Sequence, residues 1–320
     1  FWIENFMGTL IAELCQNHKG DRETLRKLIQ AAAEAGADYV KTQTIRAEFL
    51  AHRPRFDEGV VKNGVTKVIK RPYKEEFERL HLLDIDMDDH RWFIRQCHAM
   101  GVKAMTTVFT RGVVDELATM DWDAIKVASY DCASFPLLRD LKSRFKKIFV
   151  STGATYDKEI EKAAEILQGT DFTFLHCVTI YPTPLDKLDL ARIDYLRQFS
   201  KKVGFSDHTL VSRDGIKAAV AALYYGAEVI ERHFTILESD QTKDGPVSIT
   251  PGLLKELKGY SRKKRKDLEE YIEINVPDYA TMIGTKQRNL SDEELLNRDY
   301  YRGRFVTKTP GGGTLYNWEE

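Results

Sequence analysis

Apolar residues in this chain follow two alternating rhythms. One has helical spacing and ends at a glycine; the other is a short unbroken apolar run just behind it. Residues 25–35 lead into Gly36 and then Tyr39-Val-Lys-Thr-Gln43, and residues 91–100 lead into Gly101 and the run 102–107. Residues 217–225 lead into Gly226 and then Val229-Ile-Glu-Arg-His233. A glycine there takes the left-handed conformation that closes a helix, and the apolar run suits a strand buried on both faces. The other predicted strands are 9–13, 124–127, 148–151, 172–176 and 202–206, making eight in all. Helices fit between them over 87–100, 113–120, 135–142, 157–167, 190–199 and 213–224, with a last one over 251–271.

Regular α/β alternation from residue 9 to about residue 270 matches the ~250 residues of a (β/α)8 TIM barrel. A doubly wound open sheet is the alternative, but no GxGxxG follows the first strand. The expected organisation is a barrel catalytic domain over 1–275 and a short C-terminal extension over 276–320, with Gly311-Gly-Gly313 as a flexible end. Residues 46–73 break the alternation. They carry Arg53, Arg55, Lys62, Lys67, Lys70 and Arg71 and read as a long loop of the kind that serves as a lid. The run Arg262-Lys-Lys-Arg-Lys266 reads as a solvated helix face.

Composition narrows the class. Of 320 residues, 42% are apolar and 30% charged, which suits a sizeable core, and the net charge of −1 gives no general pull toward nucleic acid or anionic membrane. Cys15, Cys97, Cys132 and Cys177 form no CxxC pair, so a reduced, cytoplasmic setting is expected. No apolar run reaches the ~18 residues of a membrane helix. Phe1-Trp-Ile-Glu-Asn5 lacks a basic stretch followed by a long apolar one, and no signal peptide is expected.

In a barrel, chemistry collects where strands end. The polar residues at those ends are Glu13, Gln16-Asn17-His18, Lys41, Gln43, Thr106-Thr107, Lys126, Ser129, Asp131, Ser151-Thr-Gly153, His176, Tyr181, Ser206-Asp-His208 and Arg232-His233. Lys41 and Lys126 directly continue apolar strands. A lysine so placed needs either a bound phosphate or carboxylate or an internal salt bridge; Ser129 and Ser151 add neutral donors to an anion site. Glu13 reads as a general acid or base, or as a structural partner of those lysines. His208 and His233 end strands joined through a helix, so both imidazoles emerge on one rim. They are either metal ligands or hydrogen-bonded strand-end residues. An anion site, a metal site and an acid/base together suit carbon–carbon bond formation at a phosphorylated enol.

Ile11-Ala-Glu-Leu-Cys-Gln-Asn-His-Lys-Gly20, Glu34-Ala-Gly-Ala-Asp-Tyr-Val-Lys-Thr-Gln43, Ser151-Thr-Gly153, His176-Cys-Val-Thr-Ile-Tyr-Pro-Thr-Pro184, Gly204-Phe-Ser-Asp-His-Thr209 and Glu231-Arg-His-Phe-Thr235 resemble, in order and spacing, the sialic acid (N-acetylneuraminate) synthase family. The resemblance implies a metal-dependent barrel enzyme condensing phosphoenolpyruvate with an N-acetylmannosamine-like N-acylated hexosamine, giving a nonulosonic acid and inorganic phosphate. It implies Mn²⁺ or Mg²⁺ at His208 and His233 and catalytic roles for Glu13 and for Asp131, which stands where the family commonly has Glu. Lys41, Thr107, Lys126, Ser129, Ser151 and Ser206 match phosphoenolpyruvate positions, and Gln43, Thr179, Tyr181 and Asp244 match the sugar side. Thr179 replaces a usual Asn, and Lys243-Asp-Gly-Pro-Val-Ser248 replaces a Gly-Pro-Asp segment, so the acceptor need not be plain N-acetylmannosamine. The family's C-terminal antifreeze-like domain, which donates an arginine to a partner subunit, is not matched. Arg298, Arg302, Arg304 or an arginine of 46–73 is the expected substitute, and a homodimer the expected assembly. A phosphoenolpyruvate-using 3-deoxy-sugar acid synthase and a non-catalytic binding barrel are the competing readings.

Overall fold

The computed structural model describes residues 7–320, so the opening pentapeptide lies outside the described residues. The predicted strands all form: β1 (Thr9–Glu13), β2 (Tyr39–Thr44), β3 (Lys103–Val108), β4 (Ala124–Val127), β5 (Lys147–Ser151), β6 (Asp171–Cys177), β7 (Lys202–Asp207) and β8 (Val229–His233). Each runs parallel to the next and β8 returns to β1, closing a (β/α)8 barrel. Gly36, Gly101 and Gly226 all have positive φ, as the helix-to-strand transitions require.

Strand parity sorts the barrel interior into tiers, because every second residue faces inward. The lowest tier is an apolar plug of Ile11, Tyr39, Met105, Ala124, Phe149, Leu175 and Val229. On β7 this tier is Gly204, where a Cβ would stand 2.4 Å from Leu175 Cδ2 and 2.5 Å from the Val229 carbonyl. Two residues further along the same strands come Glu13, Lys41, Thr107, Lys126, Ser151, Cys177, Ser206 and Glu231, and beyond them Cys15, Gln43, Phe109, Ala128, His208 and His233. The opposite parity packs against the helices. His176 bonds the Leu188 carbonyl at 2.6 Å, and Thr106 bonds Thr44. Arg232 pairs with Asp207 in full burial. These polar strand-end residues are structural.

Several helices differ from expectation. The segment 213–224 is broken at Gly215 into Val211–Asp214 and Lys217–Tyr225. The segment 251–271 is broken into Pro251–Tyr260 and Arg265–Asn275, so the basic run 262–266 is solvent-exposed but mostly a connection rather than a helix face. Residues 46–73 are ordered by a hairpin, Val60–Lys62 against Val65–Val68, turning at Asn63 and Gly64, both with positive φ.

The C-terminal segment is not a loose tail. Gly311–Gly313 lie in the turn of a hairpin, Thr307–Lys308 against Thr314–Leu315. Arg53 donates to the carbonyls of Asp299, Tyr300 and Arg302, and the Val306 N–H donates to the Phe49 carbonyl at 2.8 Å. The excursion and the tail therefore clasp each other over the barrel mouth. Helix Asp292–Tyr301, capped by Ser291 and Glu294, brings Glu293, Asn297 and Tyr301 to the cavity. No helix among the described residues is long and apolar enough to cross a membrane.

Candidate active site

The two upper tiers line a cavity of about 430 Å³ at the C-terminal end of the strands. Register makes the middle tier contiguous: Glu13 lies beside Lys41, Thr107 beside Lys126, and Ser206 beside Glu231, while Glu13 also adjoins His233 of the tier above. Lys41 is salt-bridged to Glu13 and donates to Thr107 Oγ1 at 2.8 Å. Lys126 reaches Glu231 at 3.2 Å, Lys41 reaches it at 3.7 Å, and Ser206 donates to it at 2.9 Å. The lysines are thus matched by two carboxylates, so the internal-salt-bridge alternative holds in this structure. Burial pulls the Lys41 ammonium down to about 7 against the pull of Glu231. Lys126 and Lys41 hold the Glu231 carboxyl at about 2 despite burial. Room for a ligand remains: the buried Ser151 Oγ and Glu231 Oε2 have no hydrogen-bond partner. Ser129 Oγ, on the cavity wall, accepts the Gly153 N–H at 3.1 Å.

His208 and His233 meet above this tier with ring centroids 5.2 Å apart, and Tyr181 packs on His208 at 4.2 Å. Burial drives the His208 imidazole down to about 3; burial and the neighbouring His208 hold His233 well below its ordinary range. Both rings are therefore neutral at pH 7 and present lone pairs, the form that binds metals. Gln43 and Asp244 also face the cavity, the latter accepting a hydrogen bond from the Cys15 thiol at 2.7 Å.

Two expected site residues stand off the cavity wall. Asp131 is buried in the turn after β4, where Ser134 and Asn317 donate to its Oδ1 at 2.8 and 2.9 Å; burial pushes its carboxyl up to about 6. Thr179 packs its methyl toward Gly153 and gives its carbonyl to Asn297. Of the expected arginines, Arg304 and Arg71 reach the cavity, whereas Arg298 is held by Glu159 and Arg302 lies over Trp318. Sequence reasoning missed Glu231, although an acid inside an apolar strand is itself the signal. It also missed Cys15 and Arg79, which no local pattern marks.

Comparison with known proteins places these residues in a wider group. A model of the NeuB family matches residues 28–273. The chain is 30% identical over 321 residues to N,N'-diacetyllegionaminic acid synthase of Campylobacter jejuni, covering 95% of this chain and 91% of that one. It is 28% identical over 316 residues to pseudaminic acid synthase of the same species, covering 97% and 84%. The crystal structure of spore coat polysaccharide biosynthesis protein SpsE from Bacillus subtilis superposes with a TM-score of 0.70 at 27% identity, covering 94% of this chain and 81% of that one.

Proposed function

The chain belongs to the NeuB family, and from that premise we propose that its barrel condenses phosphoenolpyruvate with an N-acylated hexosamine to give a nonulosonic acid and inorganic phosphate. The observation that carries the reading is the middle tier: two lysines, a partnerless buried Ser151 hydroxyl and Glu13 converge beneath two neutral imidazoles. In this reading Lys41, Lys126, Thr107, Ser129, Ser151 and Ser206 grip the phosphate and carboxylate. Ordered side chains hold C3 of the enol toward the acceptor aldehyde, lowering the entropic cost of the encounter. Bond formation between C3 and the aldehyde carbon leaves positive character at C2. Glu13 takes a proton from the water that adds there and passes it to the oxygen of the former aldehyde; the C2 hydroxyl then collapses to the ketone, its proton leaving with phosphate as the bond from C2 to the phosphate oxygen breaks. The neutral donor set of His208 and His233 fits a divalent ion such as Mn²⁺ or Mg²⁺, which when bound would polarise the aldehyde oxygen. Tyr181 and Gln43 stand on the acceptor side.

A phosphorylated aldose is the second reading. It is favoured by Arg71, Arg79, Lys243 and Arg304 around the same cavity, of which Arg79 and Arg304 share Glu76 as an ion-pair partner. The deciding experiment assays phosphate release from phosphoenolpyruvate with Mn²⁺ against a panel of N-acylated hexosamines and phosphorylated aldoses. Turnover with a neutral N-acylated hexosamine supports the first reading, and turnover only with phosphorylated aldoses replaces it by the second. No release with any acceptor sinks both.

A further inference from the structure

We propose that Cys15 and Asp244 join His233 as ligands of the divalent ion, so that it is held by a mixed sulfur, nitrogen and oxygen set rather than by two imidazoles alone. This rests on the reading above that a metal sits at the imidazoles, and it goes further by naming two ligands and the class of ion they favour. Ligand atoms of Cys15, His233 and Asp244 all lie within 4.8 Å of one another, close enough for one ion to draw all three in. The Cys15 thiol and Asp244 Oδ2 already touch at 2.7 Å.

Both new members are held in place by the local backbone. Cys15 has φ of 50°, a left-handed conformation uncommon for a residue with a side chain and more often kept at functional sites than elsewhere. Its N–H donates to Glu13 Oε1 at 2.6 Å, so the turn that places the acid also aims the sulfur into the cavity. Asp244 is fixed from its other side. The next residue, Gly245, lies so close to Ser239 that a Cβ would stand 2.1 Å from that carbonyl oxygen, and Ser248 donates to the Asp244 carbonyl at 2.7 Å. Loop and turn therefore meet at one point over His233, whose ring lies 5.2 Å from that of His208, centroid to centroid.

A thiolate in the set changes which ion is preferred. Sulfur favours borderline ions such as Zn²⁺, Fe²⁺ or Co²⁺ over the hard Mg²⁺, which takes oxygen.

Cobalt alone provides the test. Co²⁺ is titrated into the full chain under reducing conditions without substrates, following near-ultraviolet absorption and, by calorimetry, affinity. The expected result is a sulfur-to-cobalt charge-transfer band that saturates at a single equivalent. C15S should lack the band and bind at least ~10-fold more weakly, the lower end of what outer-sphere partners alone are worth. D244N should keep the band with similarly reduced affinity. Tight cobalt binding by the wild type without the band overturns the proposal while leaving an imidazole site intact, as does undiminished affinity in C15S and D244N. Absence of cobalt binding by the wild type overturns this proposal together with the metal reading it rests on.

Discussion

Glu231→Gln tests the charge design of the barrel interior most directly. The substitution keeps shape and the contact to Ser206 but removes the charge that faces Lys126 at 3.2 Å and Lys41 at 3.7 Å. In the folded protein the carboxyl is held near 2, against an ordinary 4.5. At ~1.36 kcal/mol per unit, that difference corresponds to about 3 kcal/mol of stability at neutral pH. Breaking a buried ion pair from one side costs about 3–5 kcal/mol, which agrees. With about 2 cal/mol/K of unfolding entropy per residue, a 320-residue chain should lose roughly 5 °C in melting temperature. A depressed carboxyl stabilises the fold fully above its unfolded value and loses that contribution as pH falls through 4.5 toward 2. The gap between wild type and variant should therefore narrow to about 2 kcal/mol near pH ~3.5. Urea unfolding followed by far-ultraviolet circular dichroism across that range is the assay. A loss under ~1 kcal/mol at pH 7, or a gap independent of pH, would refute the reasoning.

Arg232→Ala should cost about 3–5 kcal/mol in urea unfolding, because it strands Asp207 as an unpaired buried charge; a cost below ~1 kcal/mol would mean water reaches that face. Gly204→Ala pushes a methyl against the Val229 carbonyl and Leu175, and a loss of about 1–3 kcal/mol or failure to fold is expected; a wild-type melting curve would contradict the tiered packing. Asn317→Ala removes a donor to Asp131 and should cost about 1–3 kcal/mol. The effect should be largest above pH 6, where the Asp131 carboxyl is ionised, and should shrink below it; the opposite pH trend in melting temperature would count against it.

Much of the barrel was legible because its signals are local. Helix spacing, a closing glycine and an apolar run specify each strand, and period-two parity from a residue such as Ile11 leads to Glu13 and Cys15, one above the other. Reading parity strictly would have set Arg232 and His176 outside and Glu231 inside. What stayed hidden depends on partners far apart in sequence. Nothing near Asp131 announces Asn317, and nothing near Arg53 announces the carbonyls of residues 299, 300 and 302. The helix breaks at Gly215 and after Tyr260 fell within apolar spacing that continues across them, so periodicity alone bridged the gaps.

The middle tier has one more consequence. With Lys41 and Lys126 matched by Glu13 and Glu231, the seat is electrically closed before any guest arrives. An anion entering it brings charge that the paired lysines do not balance, and uncompensated charge is costly at that depth. Positive charge must therefore gather with the anion, as a proton, as a cation, or from Arg71 and Lys243 at the rim of the cavity. Whatever factor by which the cation tightens the anion, the anion tightens the cation in return. A barrel built this way would couple its two guests, each strengthening the hold on the other.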